Sequence, residues 1–316
     1  MGIFSPAWKS KDRARAEDAI NKLTSQRKLA HAAREAPDDR IKKLALSKLT
    51  DQGLLADIAK TDSNEQMATA ALEKITDQAL LADAVKNAKD DRMKTAALGK
   101  LTDQRLLADV AMNSDSASTA VGKLTDQYQL AVVAKNAALD VSIRKMAVSK
   151  LTNQKYLAEI AKVDRLEHIF VPAIGQISDQ SLLVNLIKNA ADPDARLLAA
   201  EELTDQSLLA DVVKSVGSAH TAYFGMVDDE LVRKVKPATE AAFFKIVDPL
   251  VLTDVAKNAM SVDIRRCAVD RLTDQSLLLD VAKTANYGDV RTEAAKRLDD
   301  KALAQEILLD IAQTKE

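Results

Sequence analysis

The sequence predicts an all-α protein: a right-handed α-solenoid of about twelve short two-helix repeats, spanning residues 1–316 as one domain. Three observations carry this. A pentapeptide close to "KLTDQ" recurs along the 316-residue chain, usually every 26 residues. Ala and Leu abound while aromatics make up 3% of the chain, which favours helices over strands. Apolar residues around each pentapeptide follow helical rather than alternating spacing.

The register is set by the apolar residue before "TDQ", taken as position zero. It falls at Leu23, Leu49, Ile75, Leu101, Leu124, Leu151, Ile177, Leu203, Val227, Ile246, Leu272 and Leu298. At +2 every copy carries Ser, Asp or Asn, from Ser25 and Asp51 to Asp274 and Asp300. Their short side chains can accept from the free amides of a helix's first turn. Pro249 follows Asp248 at +3, and proline is favoured at the first helical position. "TDQ" is therefore read as a helix start.

The helix after the cap is typified by "SLLADVVK", with apolar residues at +5, +6, +9 and +10. An acid at +8 (Asp57, Asp83, Asp109) precedes a lysine at +11 (Lys60, Lys86, Lys135), which reads as a solvated outer face. The helix before the motif carries alanine at −4 in eleven of twelve copies, next to a larger apolar residue at −3 in most. Small beside large lets helices approach and interlock. A basic residue at −1 suits the C-terminus of its own helix. Arg144, Arg196, Arg265 and Arg291 at −7 fall inside the apolar arc and need partners; a ladder of Arg–Asp hydrogen bonds is expected. Helices of about ten residues are marginal alone, so the hairpins must stack.

The string "DIRRCAVDRLTDQSLL" in the copy at Leu272, with "ADPDARLLAAEEL" at 191–203, resembles HEAT-like repeats of the short bacterial kind, and also variant leucine-rich repeats. The resemblance spans about Arg13 to Asp310 and implies architecture more than activity. It admits assembly scaffolds, bilin lyases and DNA glycosylases. The last would imply aromatic-lined clefts, whereas Trp8 is the one tryptophan here.

Formal net charge is −2, without the basic excess of a nucleic-acid binder. Cys267 is the one cysteine, so no internal disulfide forms. No apolar run reaches membrane-span length and no leader pattern opens the chain, so a cytoplasmic location is expected. His31, His168 and His220 are far apart in sequence, and neither a phosphate loop nor a nucleophile elbow is present. No catalytic residue, metal or cofactor is therefore expected. The expected role is a non-catalytic scaffold that binds a protein or peptide along one face. The alternative is a HEAT-like enzyme or nucleic-acid binder.

Recognition is expected where copies depart from the pattern. The segment 215–247 is atypical: it holds four of the ten aromatics, Tyr223 stands at −4 and Phe244 at −2. A docking patch around His220, Tyr223 and Phe244 is proposed from this, with Tyr128, at an outer position, as a second departure. Residues 1–22 are read as an N-terminal cap in which Phe4 and Trp8 cover the first repeat. Residues 298–316 are read as a longer closing helix.

Overall fold

The computed structural model describes residues 6–88, 90–221 and 229–313, with the side chains of 215–236 left aside. Among these residues there are 22 α-helices and a short 3-10 turn, Ala7–Lys9, and no strand. Consecutive helices pack as pairs, and like helices of successive pairs pack on each other, which is the arrangement of an α-solenoid. The chain divides into two compact units, Met1–Ala147 and Val148–Glu316.

Each second helix starts where the caps say it should. Asp51, Asp77 and Asp103 accept from amides of the helices Gln52–Thr61, Gln78–Asn87 and Gln104–Asn113. Asn153, Asp179, Asp248 and Asp274 do the same in the other unit. Each such cap stabilises its helix by about 1 kcal/mol. Ser25 differs: it occupies the cap position of Gln26–Glu35 without a side-chain bond. The alanines at −4 are fully buried in ten copies, from Ala45 to Ala294. In the second helices the buried set is +6, +7, +9 and +10, as in Leu55, Ala56, Ile58 and Ala59, while Leu54 at +5 is half-buried. The extra alanine at +7 is a second small contact that the pattern at +5 and +6 did not suggest.

The pentapeptide also joins one repeat to the next. The glutamine at +3 reaches the following turn: Gln52 Oε1 accepts from Thr76 N at 2.7 Å, Thr76 Oγ1 at 3.3 Å and Asp77 N at 3.2 Å. Its Nε2 donates to Lys74 O at 3.4 Å. Gln26, Gln78, Gln104, Gln154 and Gln180 repeat this reception. These turn amides precede the helix and have no acceptor inside it, so the glutamine supplies one. The lysine at −1 faces backwards. Lys48 Nζ donates to Ile20 O and Asn21 O, at 3.1 and 2.6 Å. Lys100 and Lys123 hold the equivalent carbonyls of their preceding repeats. The cation therefore caps the preceding repeat's first helix, not its own.

Two further ladders differ from expectation. Acid at +8 and lysine at +11 pair between repeats: Lys60 with Asp83, Lys86 with Asp109 at 2.7 Å, Lys214 with Asp254 at 2.6 Å, and Lys257 with Asp280. Lys214 keeps a longer bond, 3.5 Å, to Asp211 within its own helix. The −7 arginines choose carbonyls first. Arg144 Nε donates to Ala134 O at 2.8 Å, Arg196 Nε to Ala190 O at 2.7 Å and Arg291 Nε to Ala282 O at 3.0 Å. Arg265 Nη1 donates to Ala259 O and Met260 O. Carboxylate partners are seen at Arg265 with Asp289, 3.1 Å, and Arg291 with Asp310, 3.2 Å. A carbonyl at a helix C-terminus neutralises a buried cation partly and is orphaned otherwise, so one contact answers two needs.

In the unit Val148–Glu316 the glutamine ladder passes from Leu203 directly to Ile246. Gln206 Oε1 accepts from Val247 N at 2.8 Å and Asp248 N at 3.3 Å. The helices Gln206–Thr221 and Asp229–Phe244 run 16 residues each, against nine or ten elsewhere in most of the array. The register position Val227 lies outside the described residues, and the helix is described from Asp229 onward. That helix is the first of the pair closing on Ile246, rather than the second of a separate repeat.

At the N-terminal end Trp8 is 5% exposed and meets His31 edge-on at 5.3 Å, while Phe4 lies outside the described residues. At the other end the closing helix Lys301–Gln313 is 13 residues long.

Candidate functional site

Three positions of every described turn face outward: −2, +1 and +4. In the turn at Leu49 they are Ser47, Thr50 and Gly53; at Leu101, Gly99, Thr102 and Arg105; at Leu272, Asp270, Thr273 and Ser276. All are exposed, and none is apolar beyond glycine. The pattern follows from geometry. Position zero is buried, +2 caps the helix, +3 clamps the next repeat, and what remains points to solvent.

The turn at Ile246 departs at all three. Phe244 at −2 is 70% exposed, Val247 at +1 is 71% and Leu250 at +4 is 67%. Its +3 residue is Pro249, which cannot act as the glutamine does. The patch is built on a firm base. Ile246 and Ala242 are fully buried, and Phe243 is 4% exposed with its ring edge-on to Phe244 at 5.7 Å. Arg271 lies over the Phe243 ring at 5.2 Å and donates to Phe243 O and Ile246 O. Lys245 is drawn away onto Ala200 O and Glu201 O. The two cations next to the hydrophobes are thus held by backbone, leaving the apolar side chains outward.

Of the residues singled out in the sequence, Phe244 stands in this patch. Tyr128, at +4 of the turn at Leu124, is 59% exposed and belongs to the unit Met1–Ala147. Tyr223 and the side chain of His220 lie outside the described residues. Val247 and Leu250 were missed. Their signal was present in the register: every other +1 residue is Thr, Ser or Asp, and a valine there is as deviant as the phenylalanine at −2.

Three of the −7 arginines are buried among the helices rather than open to solvent. Arg144, Arg196 and Arg265 are 2%, 8% and 3% exposed, and each gives at least one donor to a helix carbonyl; Arg265 also lies over the Tyr287 ring at 3.7 Å, and its Nε has no hydrogen-bond partner among the described residues. Burial holds the Arg196 guanidinium below its ordinary pKa, with Asp192 opposing. Among the described residues no cluster of three or more His, Cys, Asp or Glu is placed to hold a metal ion. No described helix is long and apolar enough to cross a membrane. Cys267 is exposed at −5 of its repeat.

No family model matches the chain, and no curated protein does either. Among solved structures, one match is a chain from "Computational Design of Self-Assembling Cyclic Protein Homooligomers". It is 14% identical, covers 94% of this chain and 91% of its own, and has a TM-score of 0.10. At that score the match carries no weight for this chain.

Proposed function

We propose that this protein is a non-catalytic interaction scaffold whose unit Val148–Glu316 docks a protein or peptide on the edge formed by Phe244, Val247 and Leu250. The observation that carries the reading is that three large hydrophobes, at −2, +1 and +4, are exposed together in one turn, where the other described turns expose at most one, Tyr128. Exposed apolar side chains scattered singly are ordinary, but a contiguous set on a repeated polar edge marks a contact surface. The regular turns spend their polar groups on internal bonds, so recognition falls to the irregular one.

The test uses the repeats themselves. Phe244→Ser, Val247→Thr and Leu250→Ser together write the residue types of neighbouring turns into this one, at exposed positions, and should leave helicity unchanged. Proteins captured on the immobilised chain of residues 1–316 are compared with those captured on the triple variant. The reading expects a partner lost from the variant and retained by a chain altered at the equivalent edge of another turn, Thr50→Ser. Identical captures on all three would refute it.

A further inference from the structure

We infer that the segment docking on this edge is a cationic amphipathic peptide, with apolar side chains on Phe244, Val247 and Leu250 and Lys or Arg side chains reaching the carboxylates beside them. This rests on the docking reading above and adds the chemistry of the partner.

Charge on the flanking turns carries the inference. The preceding turn places Glu201 at −2, Glu202 at −1 and Asp205 at +2, all exposed. The following turn places Asp270 and Asp274, also exposed, and Asp248 lies between. Against these six carboxylates stand Lys245 and Arg271, both turned inward onto helix carbonyls. The cap aspartates 205, 248 and 274 face helix N-termini, which balance part of their charge. Asp270 is paired with Arg297 at 3.0 Å. Lys245 Nζ, on the Glu201 carbonyl, offsets part of the charge there, but the Glu201 and Glu202 side chains both remain exposed. They stand where the unit Met1–Ala147 carries, for example, Ser47 and Lys48, or Gly99 and Lys100. That substitution has a structural consequence too. A glutamate at −1 has no proton to donate, so the lysine clamp present at Lys245 is absent from the turn at Leu203.

Neighbouring helices in a stack lie about 8–10 Å apart. A ligand that covers Phe244 and reaches Glu201 and Glu202 therefore needs about two helical turns, or three extended residues. A basic ligand gains attraction over that distance, and an acidic one is repelled, so the acidic border selects the sign of the partner.

The experiment measures fluorescence anisotropy of two labelled synthetic peptides on the full chain, one built of Leu and Lys at helical amphipathic spacing, the other with Glu in place of every Lys. The Lys peptide is expected to bind and the Glu peptide not. The Phe244→Ser/Val247→Thr/Leu250→Ser variant should weaken the Lys peptide at least roughly tenfold through lost apolar burial. Glu201→Ser with Glu202→Lys should weaken it roughly three- to tenfold and flatten its salt dependence. Circular dichroism of both variants should match the parent.

Equal binding of the two peptides would overturn the cationic assignment and leave the docking reading intact. Equal binding of the Lys peptide to parent and triple variant would overturn both. No anisotropy change with either peptide would overturn the assignment alone, because the capture experiment judges docking separately. Concentration-dependent dimerisation of the parent, lost in the triple variant, would make a second copy the occupant and overturn it as well.

Discussion

Replacing Gln52 by methionine isolates the bond that joins successive turns. Methionine matches the length of the side chain and its helix propensity, and it removes both the acceptor and the donor. Gln52 Oε1 receives two backbone amides, Thr76 N at 2.7 Å and Asp77 N at 3.2 Å. A typical net contribution is about 0.5–1.5 kcal/mol per bond, and the longer Nε2 contacts to Thr50 O and Lys74 O, 3.3 and 3.4 Å, add less. Because Gln52 is only half-buried, water can reach part of the vacated site. The expected loss is therefore about 1–2.5 kcal/mol. Amide exchange monitored at Thr76 and Asp77 reports it locally, as roughly a five- to seventyfold loss of protection, with urea unfolding as the global measure. Gln52→Glu separates the two functions: the carboxylate still accepts from both amides but cannot donate to Lys74 O, so it should fall between parent and methionine. Protection at Thr76 and Asp77 unchanged by Gln52→Met would refute the account of the motif as an inter-repeat clamp.

Three further outcomes follow from the same geometry. Asp83, Asp109 and Asp280 are held below the usual carboxylate pKa, mainly by hydrogen bonds from Lys60, Lys86 and Lys257. A folded pKa below the unfolded one means stability that is present above about pH 4 and is lost as pH falls through the folded value. Lys86→Met should thus cost at most about 1 kcal/mol at pH 7, less in high salt, and its difference from the parent should shrink in acid titration. Ala97→Leu places a large side chain at a fully buried −4 contact and should cost about 1–3 kcal/mol or more by thermal melting. Glu202→Lys restores the missing clamp onto the carbonyls of the preceding first helix, and a denaturation midpoint raised by about 0.5–1 kcal/mol is expected; a lowered midpoint would count against the clamp.

The helices and their caps were legible because both are local: a short polar residue before an apolar periodicity states where a helix begins, whatever lies beside it. Partners across the stack were not. Acid at +8 and lysine at +11 are three apart in one helix and look like an internal pair. Stacking shifts one helix along its neighbour, so that Lys86 meets Asp109 rather than Asp83. Likewise the lysine at −1 sits at the end of its own helix in sequence but at the end of the preceding one in space. The register at Val227 misled for a related reason. It was judged on the aspartate at +2, Asp229, and that residue type alone cannot say whether a helix after it is the first or second of its pair. Gln206 decides, by reaching Val247 and Asp248. The patch was half legible: Phe244 stood out as an aromatic, while Val247 and Leu250 are unremarkable residues whose exposure only the turn geometry reveals.

The turn at Ile246 carries the patch with only part of the clamp: Lys245 still holds the preceding helix, but no glutamine stands at +3. A glutamine at +3 must lie along the edge to reach the next turn. Pro249 cannot do so, and nothing equivalent holds Thr273 and Asp274 to this turn among the described bonds. Arg271 takes over part of that joining by donating to Phe243 O and Ile246 O, where a lysine would serve elsewhere. Its planar fork spans two carbonyls and still covers the Phe243 ring, which an ammonium could not do as well. Arg271→Lys is therefore more damaging than charge conservation suggests. It should lower the protection of the Ile246 turn while Lys100→Arg, at an ordinary turn, changes little. Equal responses at the two positions would mean that the Ile246 turn is held like any other, and that its hydrophobes need no special support.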